Sequence, residues 1–226
     1  MSQDIIISIK DVSIFQGDNL VLDHLNLDIR KGEFVYLIGK TGSGKSSLMQ
    51  TLYADLPLKK GEIEIVGYTL SKIRNKEIPY LRRKLGIIFQ DFQLLMDRNV
   101  EENLRFVLKS TAWTSKAEMD LRIGEVLNKT GLSTKKHKLP HQLSGGEQQR
   151  LGISRALINN PEIIIADEPS GNLDPETTAE ILQLLLDIAS GGCAVLVATH
   201  DLTLFELHRA RTLKCDGGTI IDSDLL

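Results

Sequence analysis

The chain has 226 residues, of which 42% are hydrophobic and 25% are charged, which is the composition of a folded globular protein rather than a disordered or fibrous one. Its formal net charge of −3 argues against a general nucleic-acid binder, since such proteins usually carry a basic excess. The two cysteines, Cys193 and Cys215, are too few for a disulfide framework or a zinc site, which favours a reducing compartment.

Short β-branched runs bounded by glycine or charged turns alternate with helical patterns along the chain. We predict strands at 5–9, 25–29, 34–38, 61–66, 85–89, 163–166 and 194–198. We predict helices at 47–56 and 177–189, with helical spacing prevailing between about 100 and 159. This order predicts one domain over 1–226, with an α/β core at about 1–90 and 160–226 and a helical insertion at about 91–160.

The first motif in chain order is a glycine-rich loop at 39–46 that reads GKTGSGKS, between a predicted strand and a predicted helix. It fits the phosphate-binding pattern GxxxxGK[ST], in which backbone N–H groups and a helix start face phosphate oxygens. In this pattern the lysine bridges the β- and γ-phosphates and the hydroxyl ligates Mg²⁺. The predicted nucleotide-binding residues are Gly39, Lys40, Thr41, Gly42, Ser43, Gly44, Lys45, Ser46 and Ser47. The alternative is a flexible glycine turn with a solvated lysine.

Two carboxylates, Asp167 and Glu168, directly follow the apolar run at 163–166. An all-apolar run suits a central parallel strand, and parallel sheets bind their ligands at the carboxyl ends of the strands. We therefore predict that Asp167 reaches Mg²⁺ through water and that Glu168 orients or deprotonates an attacking water. The alternative is that the two acidic residues only end the strand.

The segment at 143–150 reads LSGGEQQR and precedes a helix predicted over 151–158. Ser144 suits an N-cap and Glu147 stands three residues later, so a capping box alone is one interpretation. LSGGEQQR also resembles the signature of the ATP-binding cassette (ABC) ATPases, and together with the two preceding motifs it identifies the sequence as a member of that family. The resemblance implies a P-loop NTPase fold of the ABC type, with a RecA-like α/β core, an N-terminal antiparallel β subdomain and a helical insertion.

Further positions match the family pattern one by one. Gln90 resembles the glutamine that senses Mg²⁺ and water, His200 the switch histidine at the γ-phosphate, and 171–174 the D-loop. Phe15 resembles the aromatic residue that stacks on adenine, although a core phenylalanine is the alternative. The resemblance implies catalysis by Glu168, His200 and Gln90, with Mg²⁺ near Ser46, Gln90 and Asp167. It also implies a homodimer in which one subunit covers the ATP of the other with Ser144, Gly145, Gly146 and Glu147.

The segments at 89–98 and 166–174 resemble one branch of the family, which contains cell-division, lipoprotein-release (LolD-like) and macrolide-exporter (MacB-like) ATPases. The stretch at 94–98 is most similar to the cell-division members, which implies an ATPase that dimerises on ATP and moves an FtsX-like integral membrane partner. The lipoprotein-release and exporter subunits remain the alternative, and no nucleic-acid partner is expected.

The membrane partner implied by this resemblance is expected to be a separate polypeptide. The longest apolar run, Cys193 to Ala198, is far shorter than the roughly 18 residues of a membrane span. We therefore expect the chain to be cytoplasmic and to lie on the inner face of the plasma membrane through its partner.

Four large apolar residues, Phe92, Leu94, Leu95 and Met96, follow Gln90 in a predicted loop. Such residues usually pack, so they could plug the junction between core and insertion. The other interpretation is a groove that receives a short cytoplasmic helix of the membrane partner.

Overall fold

The computed structural model describes residues 4–171, 173–201 and 203–223. Its strands are β1 (Ile5–Gln16), β2 (Asn19–Arg30), β3 (Phe34–Ile38), β4 (Lys60–Ile65), β5 (Tyr68–Thr69), β6 (Leu85–Ile88), β7 (Ile163–Asp167), β8 (Ala194–Thr199), β9 (Arg211–Asp216) and β10 (Thr219–Asp222). Its α-helices are α1 (Lys45–Leu52), α2 (Ile78–Arg83), α3 (Val100–Ser110), α4 (Lys116–Lys129), α5 (Gly145–Leu157), α6 (Pro175–Ser190) and α7 (Thr203–Leu207).

An antiparallel sheet in the order β2-β1-β4-β5 forms the N-terminal part of the fold. β1 and β2 pair as a long hairpin in which Ile5 lies opposite Arg30 and Gln16 opposite Asn19. The predicted strands at 5–9 and 25–29 are therefore too short. The register shifts between Ile9 and Val12, where Asp11 has a φ of 47°, and this irregularity interrupts the alternation that marks a strand.

The second sheet has the order β10-β9-β3-β8-β7-β6, and its five strands from β9 to β6 are parallel. β8 is buried along its whole length, and β7 is buried at all but its last residue, as expected for central strands covered on both faces. The carboxyl ends of β3, β6, β7 and β8 therefore meet at one edge, where parallel sheets bind their ligands. The fold is the mixed α/β fold that the sequence predicts, although β9 and β10 are absent from that prediction.

Three helices, α3, α4 and α5, lie between β6 and β7 in the chain. Leu104 of α3, Ile123 of α4 and Leu151 of α5 are buried in one apolar cluster, which also holds residues of β7 and β8. None of the helices in the described ranges has both the length and the apolar character needed to cross a membrane.

Two predicted helix boundaries need correction. α5 starts at Gly145 rather than 151, because Ser144 and Glu147 form a capping box at that point. α1 spans Lys45–Leu52 rather than 47–56, because Gly44 is its N-cap with a φ of 101° and the chain turns at Ala54, whose φ is 55°.

Candidate nucleotide site

A cleft of about 450 Å³ opens at the carboxyl edge of the parallel sheet, beside the start of α1. It gathers residues that are far apart in sequence, including the ends of β6, β7 and β8. Ten of the predicted site residues line it: Thr41, Gly42, Gly44, Lys45, Ser46, Ser47, Gln90, Asp167, Glu168 and His200. Gln16 and Val21 line it as well and are absent from the sequence prediction.

The glycine-rich loop is wrapped too tightly for side chains at two of its glycines. A Cβ on Gly39, whose φ is 154°, would lie 2.6 Å from Ser43 Oγ and 2.7 Å from the Cys215 carbonyl oxygen. A Cβ on Gly44 would lie 2.8 Å from Leu22 Cγ. Glycine at these positions lets the backbone wrap closely at the start of α1, where the partial positive charge of the helix start can face an anion.

The polar groups of this loop fit a phosphate chain. Lys45 is only 7% exposed, and its Nζ donates to the carbonyl oxygens of Gly39 at 2.7 Å and Lys40 at 3.2 Å. The buried Ser43 Oγ has no hydrogen-bond partner within the described part of the chain. Because buried polar groups normally have partners, this hydroxyl and the ammonium group match a ligand rich in acceptor oxygens.

Ser46 and Asp167 place a hydroxyl and a carboxyl side by side next to the loop. Ser46 Oγ donates to Asp167 Oδ2 at 3.4 Å. Burial raises the pKa of the Asp167 carboxyl, and the neighbouring Glu168 charge raises it further, whereas Ser46 and Lys45 oppose the shift. A hydroxyl and a carboxylate are ligands that suit Mg²⁺. No group of three or more His, Cys, Asp or Glu side chains in the described ranges could hold a metal by itself, so a bound Mg²⁺ would also need phosphate or water oxygens.

Glu168 and His200 lie in direct contact at the other side of the cleft. The Glu168 carboxylate accepts hydrogen bonds from Thr199 Oγ1 at 3.1 Å and from the His200 backbone N–H at 3.0 Å. The backbone N–H of Glu168 donates to the Ala198 carbonyl oxygen of β8 at 2.9 Å. The end of β8 therefore fixes both the backbone and the side chain of this carboxylate.

Gln90 lies beside the predicted D-loop. A Cβ on Gly171 would be 3.5 Å from Gln90 Nε2 and 3.6 Å from Glu168 Cβ. The structure thus brings Gln90, Glu168 and Gly171 together, and Asn172 of the same segment lies outside the described residues.

The signature residues lie outside the cleft of their own chain, since Ser144, Gly145, Gly146 and Glu147 are absent from its described lining. Ser144 Oγ accepts from the Glu147 N–H at 3.3 Å, while Glu147 Oε2 accepts from the Ser144 N–H at 2.9 Å. A Cβ on Gly146 would be 2.5 Å from Thr177 Cγ2, so the start of α5 packs directly on the start of α6.

Phe15 is half-buried near the end of β1, opposite Leu20 in β2. The Lys59 Nζ lies 5.7 Å from the centre of the Phe15 ring. Phe15 is absent from the described lining of the cleft, although its neighbour Gln16 belongs to it.

Two residues that no motif singled out hold the segment after Gln90. Asn103 is fully buried, accepts from the Leu95 N–H at 2.9 Å and donates to the Leu95 carbonyl oxygen at 3.0 Å. Arg155 donates to the carbonyl oxygens of Phe92, at 2.8 Å, and Gln93. Arg155 bonds Phe92 and Gln93, 63 and 62 positions away, whereas Asn103 bonds Leu95 eight positions away, a spacing that no predicted motif marks.

Two of the four apolar residues at 92–96 support different interpretations. Leu94 packs against the apolar cluster that holds α3, α4 and α5, as the plug hypothesis predicts. Met96 is 54% exposed and is available to a partner.

Comparison with known proteins matches this chain to one family and to named relatives. The family described as ABC transporter matches residues 22–171. The chain is 37% identical over 217 residues to the cell division ATP-binding protein FtsE of Streptococcus pneumoniae, covering 96% of this chain and 94% of the relative. It is 42% identical over 200 residues to the FtsE of Mycobacterium tuberculosis, covering 88% of this chain and 86% of the relative.

Two solved structures have a fold similar to that of this chain. The cbiO1 protein of Clostridium perfringens, described as part of the ABC transporter complex cbiONQ, aligns with a TM-score of 0.89 at 29% identity, over 97% of this chain and 88% of that one. The ATP-binding cassette MJ0796, solved as a dimer bound to ADP and Pi, aligns with a TM-score of 0.81 at 33% identity, over 95% of this chain and 96% of that one.

Proposed function

Because the chain belongs to the ABC transporter family and is an ATPase of that family, we propose that it hydrolyses Mg²⁺-bound ATP in this cleft to drive a membrane protein in cell division. The observation that carries the proposal is the convergence of the phosphate loop, with Lys45, and the Glu168–His200 pair on one cleft.

Each predicted site residue that lines the cleft has a task in the proposed reaction. The backbone N–H groups of 39–44 and the Lys45 ammonium bind the triphosphate, with the polar groups of Thr41, Ser43 and Ser47 beside it. Ser46, Asp167 and Gln90 would hold Mg²⁺, which would neutralise phosphate charge when bound. Glu168 accepts a proton from the attacking water, and His200 orients Glu168 and contacts the γ-phosphate. Phe15, next to Gln16 of the cleft, stacks on adenine.

The position of the signature supports a homodimer. Ser144 to Glu147 lie outside the cleft of their own chain, so a second copy must supply them if they are to meet ATP. The related cassette MJ0796 was solved as a dimer. In the proposed dimer ATP forms part of the interface, and hydrolysis shifts the population towards the open form.

The proposed partner is an FtsX-like integral membrane protein, which would hold this subunit at the cytoplasmic face of the membrane. The names of the relatives support the cell-division assignment. The alternative is a LolD-like or MacB-like subunit, and identification of the membrane protein that copurifies with the chain distinguishes the three.

The decisive experiment is Lys45→Ala, measured by ATPase activity and by nucleotide binding. Loss of the ammonium removes the fixed counter-charge of the phosphates, so we expect hydrolysis to be lost. Lys84→Ala is the matched control, because Lys84 also donates to a backbone carbonyl oxygen, that of Val66 at 3.2 Å, away from the cleft. Near-normal turnover in Lys45→Ala would refute the assignment of the loop.

A further inference from the structure

The chain leaves Gln90 through a turn with unusual backbone geometry. Phe92 and Gln93 are consecutive non-glycine residues in the left-handed region, with φ values of 58° and 47°. The Gln93 N–H donates to the Asp91 carbonyl oxygen at 2.6 Å. Such residues persist only where surrounding contacts hold them, so the contacts of this turn bear on the placement of Gln90.

Arg155 supplies those contacts from α5. Its Nη2 donates to the Phe92 carbonyl oxygen at 2.8 Å, and its Nη1 donates to the Gln93 carbonyl oxygen. The planar guanidinium presents its donors as a rigid fork, which matches two neighbouring acceptors in a way that a single ammonium does not. One side chain therefore fixes both left-handed residues.

The helix that carries Arg155 is also seated against the strand before Gln90. A Cβ on Gly86 of β6 would lie only 2.9 Å from the Ala156 carbonyl oxygen, so the backbones of α5 and β6 approach closely. The same helix begins at the Ser144 cap. One rigid element thus joins the signature to the turn that follows Gln90.

We propose that Arg155 is a positioning residue that couples the two ATP sites of the dimer. This inference rests on the proposed function, in which Gln90 serves the ATP of its own chain and the start of α5 serves the ATP of the other. Movement of the turn at Phe92 and Gln93 is transmitted through Arg155 to α5, so occupancy of one site changes the other. Arg155 is absent from the described lining of the cleft, so in this proposal it acts through the turn rather than on a nucleotide.

The test compares Arg155→Met, Arg155→Lys and a matched control, Arg122→Met. Arg122 also donates to two carbonyl oxygens at the end of α5, those of Ile158 at 3.0 Å and Leu157 at 2.7 Å. None of its hydrogen bonds within the described part of the chain reaches the turn. Thermal unfolding, the affinity of the monomer for a fluorescent ATP analogue, kcat and the Hill coefficient of ATP hydrolysis are measured for each variant.

We expect Arg155→Met to bind the analogue like the wild type, because the cleft is intact. Its Hill coefficient should fall to that of independent sites, because the coupling of ATP binding between the sites, usually worth roughly 5-fold or more in affinity, is lost, and kcat should fall as well. Arg155→Lys should recover part of both, since its ammonium still reaches one carbonyl oxygen. Arg122→Met should lose thermal stability and keep the Hill coefficient.

Wild-type cooperativity and kcat in Arg155→Met would overturn the proposal, as would an equal loss of cooperativity in Arg122→Met. If Arg155→Met does not fold, Arg155→Lys provides the test. Wild-type cooperativity in Arg155→Lys, which lacks the forked guanidinium, would contradict the proposal. A wild-type protein that fails to hydrolyse ATP would overturn the proposed function itself, which separates the two failures.

Discussion

Glu168 Oε1 lies 2.6 Å from His200 Nδ1 and also accepts the His200 backbone N–H at 3.0 Å, so one carboxylate oxygen engages the same histidine twice. The other oxygen, Oε2, accepts from Thr199. The carboxylate proposed as the general base is therefore held in one orientation by the end of β8. We infer that it needs little reorganisation when ATP binds.

Glu168→Gln should keep ATP binding and slow hydrolysis roughly 10²-fold or more, the usual contribution of a general base. The amide has nearly the same shape, and its oxygen still accepts a hydrogen bond, so the fold should persist. ATP should then trap a dimer visible by light scattering. Glu162→Gln, at a surface pair with Lys84, is the control. Normal turnover in Glu168→Gln would contradict the assigned role.

Ser144→Ala should distinguish the role of Ser144 as the N-cap of α5 from its proposed contact with the ATP of the other subunit. Loss of a serine N-cap typically costs about 1 kcal/mol of stability. Ser115→Ala is a matched control, because Ser115 caps α4 with a bond to the Glu118 N–H at 3.3 Å, the length of the Ser144 bond. Urea denaturation should show similar losses in both variants, whereas ATPase assays should show lost activity only in Ser144→Ala. Equal activities would limit Ser144 to a capping role.

Gly146→Ala should force α5 and α6 apart, because the new Cβ would meet Thr177 Cγ2 at 2.5 Å. Overpacking of this kind costs roughly 1–3 kcal/mol. Thr177→Ser removes that methyl and keeps the hydroxyl that donates to Asp174 Oδ2 at 2.6 Å. The double variant should recover most of the stability lost in Gly146→Ala, as measured by urea denaturation. A double variant no more stable than Gly146→Ala would rule out this contact as the cause.

Stability should depend on pH through Glu147. The Ser144 backbone N–H, and then Lys135, hold the pKa of the Glu147 carboxyl below its ordinary value of 4.5. A lowered carboxyl pKa stabilises the folded state above the ordinary value, and this contribution is lost as pH falls through the lowered one. Glu147→Gln should therefore be less stable than the wild type near neutral pH. The difference in urea midpoint between Glu147→Gln and the wild type should shrink below pH 4.5. A difference that does not change with pH would contradict a contribution of the Glu147 charge to stability.

Met96→Glu should leave the fold and ATP binding intact and impair recruitment to the membrane partner. Met96 is 54% exposed, so a charge there is tolerated in the free chain and becomes costly if a partner buries it. Leu121→Glu places the same charge at a 66% exposed leucine of α4 as a control. Fractionation of cells expressing each variant measures recruitment. A folded Met96→Glu protein that still sediments with membranes would refute a partner groove at this position.

The parts of the fold predicted from sequence are those with strong local signals. β7 and β8 are buried on both faces, so their sequences are apolar runs. The N-cap at Ser144 can be predicted because Glu147 follows three residues later. The prediction lacks the strand β9, although apolar and polar residues alternate in its sequence, with buried Leu213 and Cys215 separated by the exposed Lys214.

The contacts by which Arg155 holds the segment after Gln90 could not be predicted, because their partners are remote in sequence, and the bond of Asn103 to Leu95 belongs to no motif. Arg155 bonds Gln93, which lies 62 positions away, and the packing of Gly146 on Thr177 depends on how two helices meet. The family resemblance indicated which residues share the cleft, and the arrangement of the carboxylate, Thr199 and His200 at the end of β8 required the fold.

β6 and β7 are neighbours in the sheet, with Ile88 beside Ala166, although three helices separate them in the chain. The chain therefore leaves and re-enters the sheet at adjacent positions, like a loop inserted between two paired strands. The pairing of the two strands therefore does not fix the length of the chain between them, since Ile88 and Ala166 are neighbours however many residues connect them. Under the proposed function, the inserted segment can change in length to suit different membrane partners while β6 and β7, which lead to Gln90 and Asp167, keep their pairing.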